Sequence, residues 1–251
     1  MLDNTLDASR YPLDAQKSEA LSKRRIGIGV TGVADTLVML DVRYGSEKAR
    51  SMLGKWMQTI QNSAYLASSK LAEERGNFPK FSKEQHLVNH NICRLSPHVQ
   101  KEIELFGLRN SLVTTIAPTG TTSLFAGNVS SGIEPVFSVE FHRKITLPDR
   151  GTASKKIVDY AAGVFRNLYG KNTPLPETFV TVDDLSPEEH VNMQAAAQKW
   201  VDSGISKTVN YPEDISFRDF ENLYLHAYSA GCKGCTTFRP NAITGTISSN
   251  A

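Results

Sequence analysis

The residues best able to do chemistry lie together in the segment 117–135, APTGTTSLFAGNVSSGIEP. Thr119, Gly120, Thr121, Thr122 and Ser123 follow directly on the β-branched run SLVTTIA at 111–117. The glycine permits close backbone approach, the hydroxyls donate, and a helical turn over 121–125 leaves free N–H groups at its start. Those are the groups that a phosphate needs. No lysine stands in the loop, so it is not the G-x-x-x-x-G-K-[ST] arrangement, and amides and hydroxyls must hold the anion themselves. A Ser/Thr/Gly-rich turn with no ligand is the competing reading. Paired carboxylates such as Asp183-Asp184 and Glu188-Glu189 fall at turns and helix starts, where capping explains them. Glu134, inside the loop, is exempt from that explanation.

Three other patterns carry less. Gly27-Ile28-Gly29-Val30-Thr31-Gly32 fits G-x-G-x-x-G, but a dinucleotide fingerprint needs a strand before it and an acidic residue about 20 positions on. Here a charged helical stretch precedes and helical sequence follows, so the glycines read as a place where helices cross closely. Cys232-Lys233-Gly234-Cys235 is a lone C-x-x-C placed between a helix end and a strand start, and it reads as two partly buried structural thiols. The six histidines show no metal-ligand spacing.

The elements that must position the loop follow from periodicity. Leu53, Trp56, Met57, Ile60, Ala64, Ala67 and Leu71 form one apolar stripe, with Ser46 as N-cap and Gly76 as stop. Further helices are expected over 14–25, ending in the basic cluster Lys23-Arg24-Arg25, and after the Ser96-Pro97 cap, stopping at Gly107. From residue 111 onward strands are expected at 111–117, 178–182, 205–210 and 234–238. Helices are expected between them over 152–168, from the Ser186 capping box to Gly204, and from Ser216 to Gly231. That alternation implies an α/β class with a parallel sheet, mainly helical over 1–109 and alternating over 110–251.

Composition sets the outer limits. A chain of 251 residues with 28 basic and 26 acidic residues carries a net charge of +2, so no global field advertises a nucleic-acid or membrane surface. Three cysteines cannot form a disulfide framework, and no run of about 18 apolar residues appears. A soluble, cytoplasmic protein is expected.

Four segments in order, RRIGIGVTGVADTL (24–37), NSLVTTIAPTGTTSLFAGNVSSGIEPVF (110–137), VDSGISKTVNYP (201–212) and AGCKGCTTFRPN (230–241), resemble the catalytic subunit of ribonucleotide reductases. The resemblance runs nearly end to end. It implies the later half of a ribonucleotide-reductase-type α/β barrel preceded by a helical segment. In it, the loop matching Pro118, Thr119, Gly120, Thr121, Thr122 and Ser123 holds the phosphates of a ribonucleoside di- or triphosphate. It also implies conversion of ribonucleotides to deoxyribonucleotides by a thiyl radical, with a thioredoxin-type reductant serving the whole enzyme.

Within that family the wording of APTGT and NVSSGIEP is most similar to the adenosylcobalamin-dependent class. Thr236 and Thr237 stand where the tyrosyl-radical class carries tandem radical-relay tyrosines, and neither can relay an electron. The family's radical-cysteine finger loop precedes the segment resembling LDNTLDASRYPLD at Leu2, so no catalytic residue is assigned to this chain. An N-terminal polypeptide is expected to complete the barrel, and the chain alone is expected to be inactive. The alternatives are a noncatalytic nucleotide-binding or assembly subunit, and a large-subunit fragment of the tyrosyl-radical class.

Overall fold

The computed structural model describes residues 1–146 and 151–239. The expected family-like segment 230–241 therefore ends, at Pro240 and Asn241, outside the described residues. In chain order the elements are α1 (Leu2–Ala8), α2 (Asp14–Lys23), α3 (Val33–Met39), α4 (Glu47–Arg75), α5 (Lys83–Leu87), α6 (His90–Cys93), α7 (Pro97–Phe106) and α8 (Gly120–Phe125). There follow β1 (Glu140–Thr146), β2 (Thr152–Val158), α9 (Tyr160–Tyr169), α10 (Pro187–Gln198), β3 (Thr208–Asn210), α11 (Phe217–Ser229) and β4 (Thr236–Phe238). Among the described residues no helix is long and apolar enough to cross a membrane.

The chain divides into two compact units. The first comprises Met1–Gly29, Gly54–Ile116 and Gln198–Gly204. Its core joins Ala64 and Tyr65 of α4 to Phe78, Ile92, Leu95, Val99, Ile103, Leu108 and Val113. Helix α7 begins as its sequence dictates: Ser96 accepts from the Val99 amide, Pro97 fills the first turn and Gly107, at φ +78°, ends it. The run 111–117 is extended but joins no multi-residue strand. It meets 26–28 through one parallel bridge, Ile28 to Thr114, with Ile28 N donating to Val113 O at 2.8 Å. Ile26 N donates to Leu112 O at 3.0 Å and Thr115 N to Ile28 O at 3.0 Å beside it.

This contact also corrects the reading of the glycine pattern. A Cβ on Gly29 would sit 2.3 Å from the Thr115 carbonyl oxygen, and one on Gly27 2.4 Å from Thr115 Cγ2. The glycines serve close approach, as expected, but against an extended segment and not at a helix crossing. The basic cluster departs from expectation too. Arg24, in the left-handed region at φ +46°, turns inward, where its guanidinium pairs with buried Asp3 at 2.8 Å and with Asp7 at 2.8 Å.

Asp202 organises the rest of this unit. Its Oδ2 accepts from the amides of Val113 (2.8 Å) and Thr114 (3.1 Å). Its Oδ1 accepts from the Tyr65 hydroxyl (2.8 Å), Gln61 Nε2 (3.1 Å) and Asn91 Nδ2 (3.2 Å).

The second unit comprises Val30–Leu53, Ala117–Ala197 and Ile205–Ala251. It holds two small sheets, β1 antiparallel to β2 and β3 parallel to β4, so one of the expected parallel pairings is present in shortened form. The run expected as a strand at 178–182 contributes only a parallel bridge, Val136 to Thr181, before a 3-10 turn. The single helix expected over 152–168 is replaced by β2 and α9. Residues 152–158 pair across seven positions with β1, and Asp159 then caps α9 by accepting from the Ala162 amide. The capping box of α10 is formed in full: Ser186 Oγ accepts from Glu189 N, and Glu189 Oε2 from Ser186 N. Helix α10 stops at Gln198, short of the expected Gly204.

Candidate functional site

Within the second unit, α8 opens into a cavity of about 510 Å³, a size suited to a small organic ligand. The expected turn at 121–125 is thus a real helix, beginning one residue earlier. Its N-cap, Thr119, supplies no side-chain acceptor to the helix. The first-turn N–H groups of Gly120, Thr121 and Thr122 therefore have no intrahelical partner and are free for an anion. A Cβ on Gly120 would meet no atom within 4 Å, so the space beside the first amide is open.

Thr119 is held in the left-handed region at φ +53°, which a β-branched residue adopts only under constraint. The constraint is a hydroxyl knot. Thr119 Oγ1 accepts from Gly132 N at 2.7 Å and shares a 3.0 Å hydrogen bond with Thr31 Oγ1, which in turn donates to Ser130 O at 2.9 Å. Strain of about 1–3 kcal/mol is the usual cost of such a backbone, and it aims α8. Asp35 of α3 completes the support, accepting from Ser130 N at 2.6 Å and from Ala161 N at 3.0 Å.

Of the six residues expected to hold phosphate, Gly120, Thr121 and Ser123 line the cavity. Thr119 acts from behind, through the knot. Ser123 Oγ is already engaged with Gly120 O and Ser131 Oγ, so its hydroxyl shapes the loop more than it serves a ligand. Thr122 and Pro118 are not part of the cavity lining. The apolar part of the lining is formed by Leu124, Val129, Val136, Phe137, Phe141 and Val182.

Two groups at this cavity were not read from sequence. Lys207, with a wholly buried side chain, places Nζ 2.7 Å from each of Glu134 Oε2, His190 Nδ1 and the Thr208 carbonyl oxygen. Glu134 Oε1 accepts from Thr208 N at 2.6 Å. Burial pushes the Lys207 ammonium down, and Glu134 opposes that shift. Burial and then the Lys207 charge pull His190 down to about 3, so its ring is neutral. Because an ammonium only donates, Nδ1 accepts and the proton sits on Nε2, which faces the Val182 backbone without reaching hydrogen-bond geometry. A lysine inside the β-branched run ISKTVN was the available signal.

Asp159 is the second. It lines the cavity, is 5% exposed, and is pushed up to about 7, first by burial and then by the charge of Asp35, partly offset by the amides of Ala162 and Ala161. The folded state thus keeps a proton that the unfolded chain, titrating near 3.8, has already released. Stability contributed by that proton is present below about pH 4 and is lost as pH rises through about 7. Relative to Asp159→Asn, the wild-type chain should lose roughly 3–4 kcal/mol between those limits. Urea unfolding of both proteins across that range measures it, and parallel curves would rule the shift out.

Cys232 and Cys235 are free, half-buried thiols packed against the cluster of Val191, Val209, Tyr211, Leu223 and Ala227. Burial, followed by the neighbouring Cys235, pushes Cys232 up to about 11. Thr237 of β4 shares a hydrogen bond with the Tyr224 hydroxyl at 3.1 Å. Among the described residues, no group of three His, Cys, Asp or Glu side chains is placed to hold a metal ion.

Comparison with known proteins places the chain in a family. The model of the ribonucleotide reductase barrel domain matches residues 1–238, and the chain belongs to that family. It is similar, at 35% identity over all of its length, to a vitamin B12-dependent ribonucleoside-diphosphate reductase of Mycobacterium tuberculosis, of which it covers 36%. The vitamin B12-dependent ribonucleoside-diphosphate reductase of Thermoplasma acidophilum is 34% identical over 97% of the chain and 32% of that relative. The ribonucleoside-diphosphate reductase subunit alpha of Chlamydia pneumoniae is 28% identical over 97% of the chain and 27% of the relative. The chain thus spans about a third of the length of the curated relatives it matches.

Proposed function

We propose that the chain forms the substrate-phosphate wall of a ribonucleotide reductase, in the later half of its α/β barrel, and takes a ribonucleoside diphosphate. The observation that carries this reading is the free first turn of α8 beside an empty space at Gly120, in the lining of a nucleotide-sized cavity. Relatives named ribonucleoside-diphosphate reductases support the choice of a diphosphate. In this arrangement the amides of Gly120, Thr121 and Thr122 and the Thr121 hydroxyl hold the terminal phosphate. The apolar wall shields the nucleoside from water, and the Thr31–Thr119 knot keeps the amides aimed before the ligand arrives.

Dependence on adenosylcobalamin is the reading favoured for the whole enzyme, because relatives named vitamin B12-dependent are 34–35% identical and the subunit alpha relative 28%. The cavity itself does not fit that cofactor. Its volume of about 510 Å³ is too small for a corrin ring with its nucleotide tail, and no histidine lines it. No step is therefore assigned to cobalamin through these residues.

The test is calorimetric titration of the purified chain with ADP and with adenosine. Saturable one-to-one binding of ADP, tighter than adenosine by at least about tenfold, is expected from a phosphate-directed site. Equal affinities would remove the phosphate cradle from the account.

A further inference from the structure

We infer that Lys207 is a positioning residue of this cavity: it anchors the Glu134 carboxylate against β3 and cancels its charge, so that an anionic ligand can lie beside a carboxylate wall. The inference rests on the nucleotide reading above and assigns a role to a residue outside the cradle itself.

Three observations lead there. Glu134 lines the same cavity as Gly120 and Thr121, with a side chain that is 25% exposed, so an uncompensated carboxylate would face the phosphates directly. Lys207, by contrast, is completely buried and is not part of the cavity lining. Its three protons are matched by three acceptors at 2.7 Å, on Glu134, His190 and Thr208, which leaves none for a ligand. It is therefore unlike a phosphate-gripping lysine, and its charge acts through Glu134. The second carboxylate oxygen holds the amide of Thr208, so the pair also fixes the start of β3, whose Thr208 and Asn210 form part of the cavity wall.

Burying a lysine costs free energy that an apolar side chain of the same length would not. In an uncharged cavity the pair would have no evident use. Beside an anion it turns a repelling wall into a neutral one, and the neutral His190 ring accepts the third proton without adding charge.

The test compares wild type, Lys207→Met, Glu134→Gln and the double variant, each titrated with ADP and with adenosine. Lys207→Met is expected to weaken ADP binding by about 30-fold while leaving adenosine within about twofold, and adding Glu134→Gln should restore ADP to within about threefold of wild type. An equal loss for both ligands, no loss for ADP, or no recovery in the double variant would each overturn the inference. If Lys207→Met does not fold, the double variant decides: near-wild-type ADP binding supports the charge-cancelling role, and weak binding refutes it. If wild type itself binds no ADP, the nucleotide reading fails on its own, and hydrogen exchange settles the positioning claim. Protection of the Thr208 amide should fall at least about tenfold in Lys207→Met, and unchanged protection would refute it.

Discussion

Gly120→Glu is expected to lower the affinity of the chain for ADP by about 100-fold, equivalent to roughly 2.7 kcal/mol. A Cβ at Gly120 meets no atom within 4 Å, and the residue has no left-handed φ to lose. Folding should therefore be intact, and the loss should come from a carboxylate placed where the phosphate sits, with one or two charge-assisted hydrogen bonds forfeited. Gly120→Ala supplies the control for backbone effects, with a change of about threefold or less expected. Matching circular dichroism spectra, together with titrations in which only the glutamate variant fails, would match expectation. Equal binding by wild type and Gly120→Glu would reduce α8 to an ordinary turn of helix.

The second large effect concerns stability. Asp202→Ala is expected to cost about 4 kcal/mol, since it strands the buried amides of Val113 and Thr114 and takes the acceptor from Tyr65, Gln61 and Asn91. With total stabilities of about 5–15 kcal/mol, that is enough to unfold much of the first unit at ambient temperature. Asp202→Asn should cost less, about 2 kcal/mol, because its oxygen can still accept from Tyr65 while its NH₂ opposes the two amides. Urea midpoints of the three proteins give the order. A loss below about 1 kcal/mol in the alanine variant would mean that water replaces the carboxylate, and the network would not hold the unit as described.

What could be read from the sequence was what local chemistry decides. Ser96-Pro97, Ser186-x-x-Glu189 and Ser216 each begin a helix through hydrogen bonds within three residues, so their signals survive without knowledge of the fold. The start of α8 was legible for the same reason, since a glycine flanked by hydroxyl residues after an extended run declares a helix start. Residues 152–158 were misread because Lys155 and Lys156 suit a helix as well as an exposed hairpin, and the deciding partner, β1, is a tertiary matter. The strand at 178–182 failed similarly, its pairing being a single bridge to Val136.

The missed part of the site is nonlocal throughout. Lys207 meets a carboxylate 73 residues upstream, and Thr119 depends on Thr31, 88 residues away. Nothing adjacent to either residue announces such a partner. Glu134 stood out in sequence as a carboxylate without a capping role, and the structure gives it one as the cavity-wall partner of Lys207 and Thr208.

The central claim is that backbone amides at the start of α8 receive a nucleotide's anionic end. A crystal structure of the chain grown with ADP tests it most directly. The account predicts terminal phosphate oxygens about 2.7–3.1 Å from the amide nitrogens of Gly120, Thr121 or Thr122, with the nucleoside along the wall of Val136, Phe137 and Phe141. A well-ordered diphosphate bound at any other place, with the first turn of α8 open to solvent, would contradict it.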